Sequence, residues 1–111
     1  MSKRPAGVLL EDVRAAISKV ERYTFGHDKL SFVQDDKTVD AVARNLQIIG
    51  EAATRLPAEF TEANPQIEWR KIVGLRHRIV HEYFGVDREL VWEIVQNDLL
   101  ELKQKLQGLL G

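Results

Sequence analysis

Residues 39–57 read VDAVARNLQIIGEAATRLP, and this stretch decides the fold. Its apolar residues recur every three or four positions, which is the period of one face of an α-helix. They are Val39, Val42, Leu46, Ile49, Ala53 and Leu56. Asp35 or Asp36 can cap the start of this helix through its carboxylate. Pro57 ends it, because the residue before a proline avoids the α region. The stretch therefore predicts one long amphipathic helix.

The same helix has a second apolar face, formed by Ala41, Ile48 and Ala52. The two faces together are wider than a single helix contact needs. Gly50 lies inside the helix, where glycine costs about 1 kcal/mol relative to alanine. Because glycine has no side chain, its presence there despite this cost indicates that another helix approaches closely. Two interpretations stay open, a central helix within one bundle or a helix that also pairs in a homodimer, and we favour the homodimer.

The helical period continues on both sides of this stretch, in three further segments. The residues that follow this spacing are Leu10, Val13, Ile17, Val20 and Thr24; Ile72, Leu75 and Ile79; and Val91, Val95, Leu99, Leu102, Leu106 and Leu109. No stretch alternates at period two over a useful length. The pattern is typical of an all-α protein.

Breaks in the period set the ends of these helices. Residues 25–28, Phe-Gly-His-Asp, end the first helix. The third helix is expected to begin near Glu68, after an Asn-Pro turn signal, and to stop at Gly85. Asp87 then caps the fourth helix. With a short extra turn at residues 58–61, we predict an up-down bundle of four to five helices, a single domain over residues 1–111.

Composition limits the class of protein. The chain has 111 residues, 44% of them apolar, which suits one globular domain with a core. It has no cysteine, so neither a disulfide nor a thiolate metal site can form. The apolar run at residues 8–10 is too short for a signal peptide, and no stretch reaches membrane-spanning length. We therefore expect a cytoplasmic protein that does not contact membranes.

Charge is segregated along the chain. The net charge of −1 argues against a general nucleic-acid coat protein. Residues 69–81, however, hold four arginines and lysines and no acid. Arg70, Lys71 and Arg78 form either a solvated face or the rim of an RNA groove, and the sequence leaves both interpretations open.

The chemistry-bearing residues lie in the segment Gly74-Leu75-Arg76-His77-Arg78-Ile79-Val80-His81-Glu82-Tyr83-Phe84-Gly85. An arginine presents a fixed fork of donors to phosphate oxygens and stays charged. A histidine can take a proton from a ribose 2′-hydroxyl or give one to a leaving oxygen. Attack by that hydroxyl needs no metal and leaves a 2′,3′-cyclic phosphate. The segment therefore suits metal-independent cleavage of RNA.

Helical geometry constrains this hypothesis. On a straight helix Arg76 and Tyr83 are about 20° apart, whereas Arg76 and His81 are about 140° apart. Three solutions bring the arginine and the histidine together. The long arginine can wrap around the helix, the helix can distort near Gly85, or two copies of the segment can face each other across a dimer. We favour the last.

The segment resembles the signature of the HEPN superfamily, an arginine followed four to six residues later by a histidine. More narrowly, Arg76, His81 and Tyr83 match the Arg-x4-His-x-Tyr motif of HepT-like toxins. The resemblance covers nearly the whole chain. It includes residues 40–46 and 49–52, Ile67-Glu68-Trp69, Val86-Asp87 and Val91-Trp92.

The resemblance implies a dimeric, all-helical ribonuclease toxin in which Arg76 and His81 are catalytic. Such proteins form a type VII-like pair with a small nucleotidyltransferase antitoxin. The resemblance also implies that this antitoxin transfers AMP to the motif tyrosine, here Tyr83. The added phosphate and bulk would block an RNA phosphate electrostatically and sterically.

Two positions depart from the family pattern. His77 follows the motif arginine, where asparagine is common, and this makes it a candidate second acid or base. Glu82 stands where a small residue is common, and it can pair with Arg78 four residues earlier.

Other interpretations stay open. The chain could be a non-catalytic module that binds a nucleotide or a partner, or a dimeric helical adaptor. His77 and His81 have the spacing of two metal ligands, but the neighbouring Arg76 and Arg78 repel a cation, so we expect neither a metal nor a cofactor. Further candidates have simple structural interpretations, namely Trp69 and Trp92 as packing residues rather than base-stacking ones, and Glu51 as a buried partner of Arg44 rather than of Arg76.

Overall fold

The computed structural model describes residues 5–81 and 85–110, without the side chains of His81 and Leu110. This part of the chain is mostly helical, so the prediction of an all-α protein is confirmed. Its elements are α1 (Ala6–Thr24), α2 (Lys29–Val33), α3 (Asp36–Thr54), α4 (Ala58–Ala63), α5 (Trp69–Val73), α6 (Leu75–Ile79), β1 (Val80–His81), β2 (Gly85–Val86), α7 (Arg88–Glu93), a π turn (Ile94–Asp98) and α8 (Leu99–Leu110).

Helix α3 is the centre of the fold. It packs along α1 and also contacts α2, α5, α6 and α7. Val42, Leu46 and Ile49 on its main stripe are completely buried. Asp35 is its N-cap and accepts a hydrogen bond from the amide of Thr38 at 3.1 Å. The stripe at residues 39–56 therefore builds the core, as the sequence predicts.

The second apolar face of α3 is largely used within the chain. Ala52 is buried and Ile48 packs against the core, while Ala41 is half-buried. The central position of the helix accounts for both contacts without a second copy. The homodimer consequently stays a prediction that needs a different observation.

Gly50 lets another helix come close, as its position predicts. A Cβ atom added there would lie 3.2 Å from the carbonyl oxygen of Ile72 and 3.4 Å from that of Val73. Both carbonyls belong to the end of α5. A side chain at this position would press on the backbone just before the segment that carries Arg76.

Helix α2 is absent from the sequence prediction. The carboxylate of Asp28 accepts a hydrogen bond from the amide of Ser31 at 2.8 Å, and the Ser31 hydroxyl accepts one from the amide of Asp28 at 3.0 Å. This capping box starts a five-residue helix. Its Phe32 is fully buried against Trp92 of α7, with ring centroids 5.2 Å apart. The short helix therefore fastens α7 to the bundle.

The prediction of one continuous third helix is wrong. The helical segment breaks at Gly74 and ends at Ile79, because Val80 adopts an extended conformation with φ −108° and ψ 124°. Strand β1 pairs antiparallel with β2, joining Val80 to Val86 and His81 to Gly85. Gly85 has φ +73°, which glycine adopts without strain. The amide of Asp87 donates to the Ile79 carbonyl at 2.6 Å and closes the hairpin.

The remaining helices follow the sequence prediction more closely. The extra turn expected at residues 58–61 is α4. Asp87 caps the fourth helix by accepting a hydrogen bond from the amide of Leu90 at 3.1 Å. This helix runs from α7 into α8 through the π turn, where the amide of Leu99 donates to the carbonyl of Ile94. The sequence gives no sign of that wider turn.

Candidate functional site

The centre of the candidate site is α6. Leu75 and Ile79 are buried in the core, so they fix one side of this short helix. Arg76 and His77 are exposed on its other side. The fold therefore presents the motif arginine and the histidine that follows it to solvent.

The side chains of Arg76 and His77 have no hydrogen bond or ion pair with any residue of ranges 5–81 and 85–110. An arginine in a purely structural role usually has a carboxylate or carbonyl partner, because its five donors bind such groups strongly. Within the described part of the chain, no acid or carbonyl group competes with an external anion, such as a phosphate, for the donors of Arg76.

His81 follows α6 directly. Its backbone lies in β1 and pairs with Gly85 of β2. The His81 side chain and Tyr83 lie outside the described residues. The 140° separation between Arg76 and His81 does not apply, since the chain leaves the helix at Val80. The helix therefore ends before Gly85, as one of the three solutions supposes, and the favoured solution, two copies facing each other across a dimer, stays a prediction.

Arg78 turns away from Arg76 and pairs with Asp98. Its Nη1 atom donates to Oδ2 of Asp98 at 2.9 Å, and both side chains are about one-third exposed. Asp98 is the last residue of the π turn. Sequence reasoning missed Asp98 as a partner, because it lies twenty residues after Arg78 and no local spacing links the two. Glu82, the partner predicted for Arg78, lies outside the described residues.

Arg70 and Lys71 differ in their surroundings. Lys71 pairs with Glu68 at 2.9 Å. The hydrogen bond to Glu68 and its negative charge raise the pKa of the Lys71 ammonium above its usual value. The side chain of Arg70 is exposed and has no partner among the described residues. Of the three cations predicted at an RNA rim, Arg70 is therefore the one left unpaired in that part of the chain.

A shallow groove runs between α5, α6 and α8. Its floor is apolar and its rim carries three ion pairs, Lys71–Glu68, Arg78–Asp98 and Lys105–Glu101. The apolar residues are Ile67, Ile72, Leu75, Ile94, Leu99 and Leu102. Because each cation on the rim is paired with an acid, the groove has no excess of positive charge.

The other aromatic and charged candidates have structural partners. Trp69 donates from its indole nitrogen to the Asn64 carbonyl at 3.0 Å and meets the ring of Phe60 edge-on. Trp92 packs on Phe32, as described above. Arg44 lies 3.9 Å from Glu51. These contacts confirm the structural interpretations of both tryptophans. The predicted pair of Glu51 with Arg44 also forms, but both side chains are more than half exposed, so the expectation that the pair is buried is wrong.

Two searches of the described residues give negative results. Residues 5–81 and 85–110 contain no group of three or more His, Asp or Glu side chains that could hold a metal ion. Within the same ranges, no helix combines the length and the apolar character needed to cross a bilayer.

Comparisons with known proteins agree with the fold and the motif. The family model described as ribonuclease HepT-like matches residues 13–109. A protein of Thermococcus cleftensis named as a probable ribonuclease HepT is 39% identical over 96% of this chain and 97% of its own length. A candidate RNase of Methanocaldococcus jannaschii is 36% identical over 96% of this chain and 98% of its own.

A third relative, a candidate RNase of Caldanaerobacter subterraneus, is 34% identical over 92% of this chain and 88% of its own. No solved structure matches the chain significantly. The mostly helical fold and the Arg-x4-His-x-Tyr motif define a HEPN-type protein. Within that class, the chain belongs to the ribonuclease HepT-like family.

Proposed function

We propose that this chain is a metal-independent endoribonuclease toxin that acts on RNA in the cytoplasm. The observation that carries the proposal is the exposed side chain of Arg76 on α6, which has no partner among the described residues and lies shortly before the strand that contains His81. Family membership over residues 13–109 supports the same activity.

Each motif residue has a role in this proposal. Arg76 binds the scissile phosphate and stabilises the negative charge that develops on its oxygens. His81 removes the proton from the 2′-hydroxyl, or protonates the leaving 5′-oxygen, and His77 assists as the second group. The 2′-oxygen forms a bond to phosphorus, the bond to the 5′-oxygen breaks, and a 2′,3′-cyclic phosphate remains. Arg70 contacts RNA outside the cleaved bond, with Lys71 and Arg78 as further candidates.

Cleavage in the presence of a chelator tests this activity. Purified protein with excess EDTA should cut single-stranded RNA into fragments that end in a 2′,3′-cyclic phosphate. The same sequence with 2′-O-methyl groups should stay intact, since the nucleophile is blocked. Cleavage of the methylated strand, or of RNA only when a divalent metal is added, would reject the mechanism.

The site also fits a homodimer. Val73 and Val80 flank the motif residues of α6, and their side chains are 40% and 41% exposed. They add apolar surface on either side of Arg76 and His77, which would favour contact with a second copy. In such a dimer Arg76 of one copy could act with His81 of the other.

A mixing experiment tests whether the site is shared between two copies. Arg76→Ala and His81→Ala are each expected to be inactive. When the two variants are co-refolded, a mixed dimer with a shared site regains one intact arginine–histidine pair, so activity should recover to about half that of wild type in each mixed dimer. If each site lies within one chain, the mixture should stay as inactive as its components.

We further propose that a nucleotidyltransferase antitoxin inactivates the protein by transferring AMP from ATP to Tyr83. The phenolic oxygen would attack the α-phosphate, and pyrophosphate would leave. The product places a phosphodiester beside Arg76 and His81, where it would repel and obstruct RNA. The proposal rests on the motif that contains Tyr83, two residues after His81.

Tyr83→Phe should therefore cleave RNA and resist inactivation. Incubation with the nucleotidyltransferase and ATP should add AMP to the wild-type chain and stop its activity, but should leave Tyr83→Phe unmodified and active. Intact mass and RNA cleavage measure both effects. Tyr23→Phe is the matched control, because Tyr23 is the other tyrosine of the chain and is 38% exposed. Modification that persists in Tyr83→Phe and disappears in Tyr23→Phe would contradict the assignment.

A second candidate function is a non-catalytic module that binds a nucleotide or a protein partner. The paired rim of the groove favours it, since Lys71, Arg78 and Lys105 each face an acid and offer RNA little free positive charge. Tight nucleotide binding by a protein that leaves RNA intact would support this alternative. RNA cleavage that depends on Arg76 would eliminate it.

A further inference from the structure

The Arg78–Asp98 ion pair joins the motif segment to the π turn that leads into the last helix. Arg78 lies in α6 two residues after Arg76 and three before His81. Its guanidinium crosses the groove to Asp98 at 2.9 Å. In sequence, Arg78 therefore lies between the two residues to which the proposed function gives the chemistry.

The π turn presents Asp98 toward α6. A π turn contains one residue more than an α turn, so it changes which of the following residues faces a given neighbour. Ile94, Val95 and Leu99 are buried around it, so packing holds the turn in place. Such turns occur often at functional sites. Here the turn ends at Asp98, the residue that receives Arg78.

We propose that Asp98 is a positioning residue of the ribonuclease site. By holding Arg78, it fixes the orientation of α6 and the start of β1, and hence of Arg76 and His81. This inference rests on the proposed function. Because both partners are about one-third exposed, the pair contributes little to global stability. Its effect is expected in the rate of the chemical step, which is sensitive to small displacements of the reacting groups.

A competing explanation makes the opposite prediction. If Arg78 were an RNA contact that Asp98 merely restrains, removing the Asp98 charge would free the guanidinium to bind phosphate. KM for RNA would then fall and kcat would hold or rise. A positioning role predicts a lower kcat and an unchanged KM. The sign of each change separates the two explanations.

The first experiment compares Asp98→Asn with Glu101→Gln. Both changes remove one carboxylate from the same groove, but Glu101 pairs with Lys105 inside α8 at 2.7 Å and does not reach the motif. Asp98→Asn should lower kcat by about 10- to 100-fold with KM within twofold. Glu101→Gln should leave both constants within twofold. Equal losses in the two variants, or a lower KM in Asp98→Asn, would overturn the proposal.

The second experiment exchanges the two charges. Arg78→Asp should lose activity as Asp98→Asn does, and the double variant Arg78→Asp/Asp98→Arg should recover at least one-third of the wild-type kcat. Recovery requires only that the two side chains hold each other. A double variant as inactive as Arg78→Asp would show that the arginine is needed at position 78 itself, and the positioning role would fail.

Hydrogen exchange separates failure of this inference from failure of the proposed function. The amides of residues 76–81 should exchange faster in Asp98→Asn than in wild type, whereas Glu101→Gln should leave them unchanged. If wild type does not cleave RNA but this difference is seen, the ribonuclease proposal fails and the anchoring role of Asp98 stands. If the exchange of residues 76–81 is the same in all three proteins, the anchoring role fails whatever the activity.

Discussion

Arg76→Ala is expected to lower the rate of RNA cleavage by about 10²- to 10³-fold, the usual loss when one donor to a developing oxyanion is removed. The guanidinium of Arg76 has no partner among the described residues, so its removal breaks no contact within that part of the chain. The free energy of unfolding should therefore change by no more than about 0.5 kcal/mol. Single-turnover cleavage and thermal unfolding measure the two quantities.

His81→Ala should cause a comparable loss, about 10²- to 10⁴-fold, because it removes a proton-transfer group. The two losses should not add in the double variant, since both residues act on one transition state. Arg76→Lys is informative because lysine keeps the charge and loses the fork of donors, and it should retain only part of the activity.

Arg22→Ala is the matched control for Arg76→Ala. Arg22 lies on α1, is exposed and likewise has no partner among the described residues. The Arg22→Ala variant should cleave RNA at the wild-type rate. If Arg22→Ala and Arg76→Ala lose activity equally, the arginines contribute only general attraction for RNA, and the assigned role of Arg76 is wrong.

The core of the fold was predictable because its signal is local. An apolar stripe that repeats every three or four residues can be recognised from neighbouring positions in the sequence alone. It correctly predicted that Val42, Leu46 and Ile49 lie in the interior. The end signals worked for the same reason, since a cap such as Asp35 binds an amide three residues away. Gly50 was informative because glycine inside a helix needs a steric reason, and the end of α5 supplies it.

The hairpin after α6 was not predictable from the same signals. Ile72, Leu75 and Ile79 continue the helical period up to the break, so periodicity extends the helix too far. The change at Val80 depends on pairing with Val86 and on the bond from Asp87 to Ile79. Strands of two residues are too short to show an alternating pattern. The angle argument about Arg76 and His81 failed because it assumed that the helix continued.

The candidate site shows the same division. Its local part, the motif from Arg76 to Tyr83, is visible in the sequence because the spacing lies within eight residues. Its long-range part is not visible in the sequence. The link from Arg78 to Asp98 depends on a π turn in another helix, and nothing in the order of residues 94–98 distinguishes that turn from an ordinary helical one.

Phe32→Ala is expected to lower the free energy of unfolding by about 3–5 kcal/mol, the usual range for removing a buried phenylalanine. Phe32 is fully buried, and its ring packs on Trp92 at 5.2 Å. A domain of this size has a total stability of roughly 5–15 kcal/mol, so the variant should be close to unfolding at moderate temperature. Chemical denaturation, followed by circular dichroism, measures the loss.

Phe25→Ala makes the same chemical change at a residue that is 88% exposed, seven positions earlier. It should alter stability by no more than about 0.5 kcal/mol. The comparison isolates the contribution of the Phe32 ring to the contact between α2 and α7. A second link to the start of α7 remains in both variants, because the guanidinium of Arg88 donates to the Val33 carbonyl and to Asp36, both at 2.6 Å. Similar losses in both variants would show that Phe32 does not hold α7. A large loss at Phe32 alone would show that the contact between α2 and α7 through this ring contributes strongly to the stability of the fold.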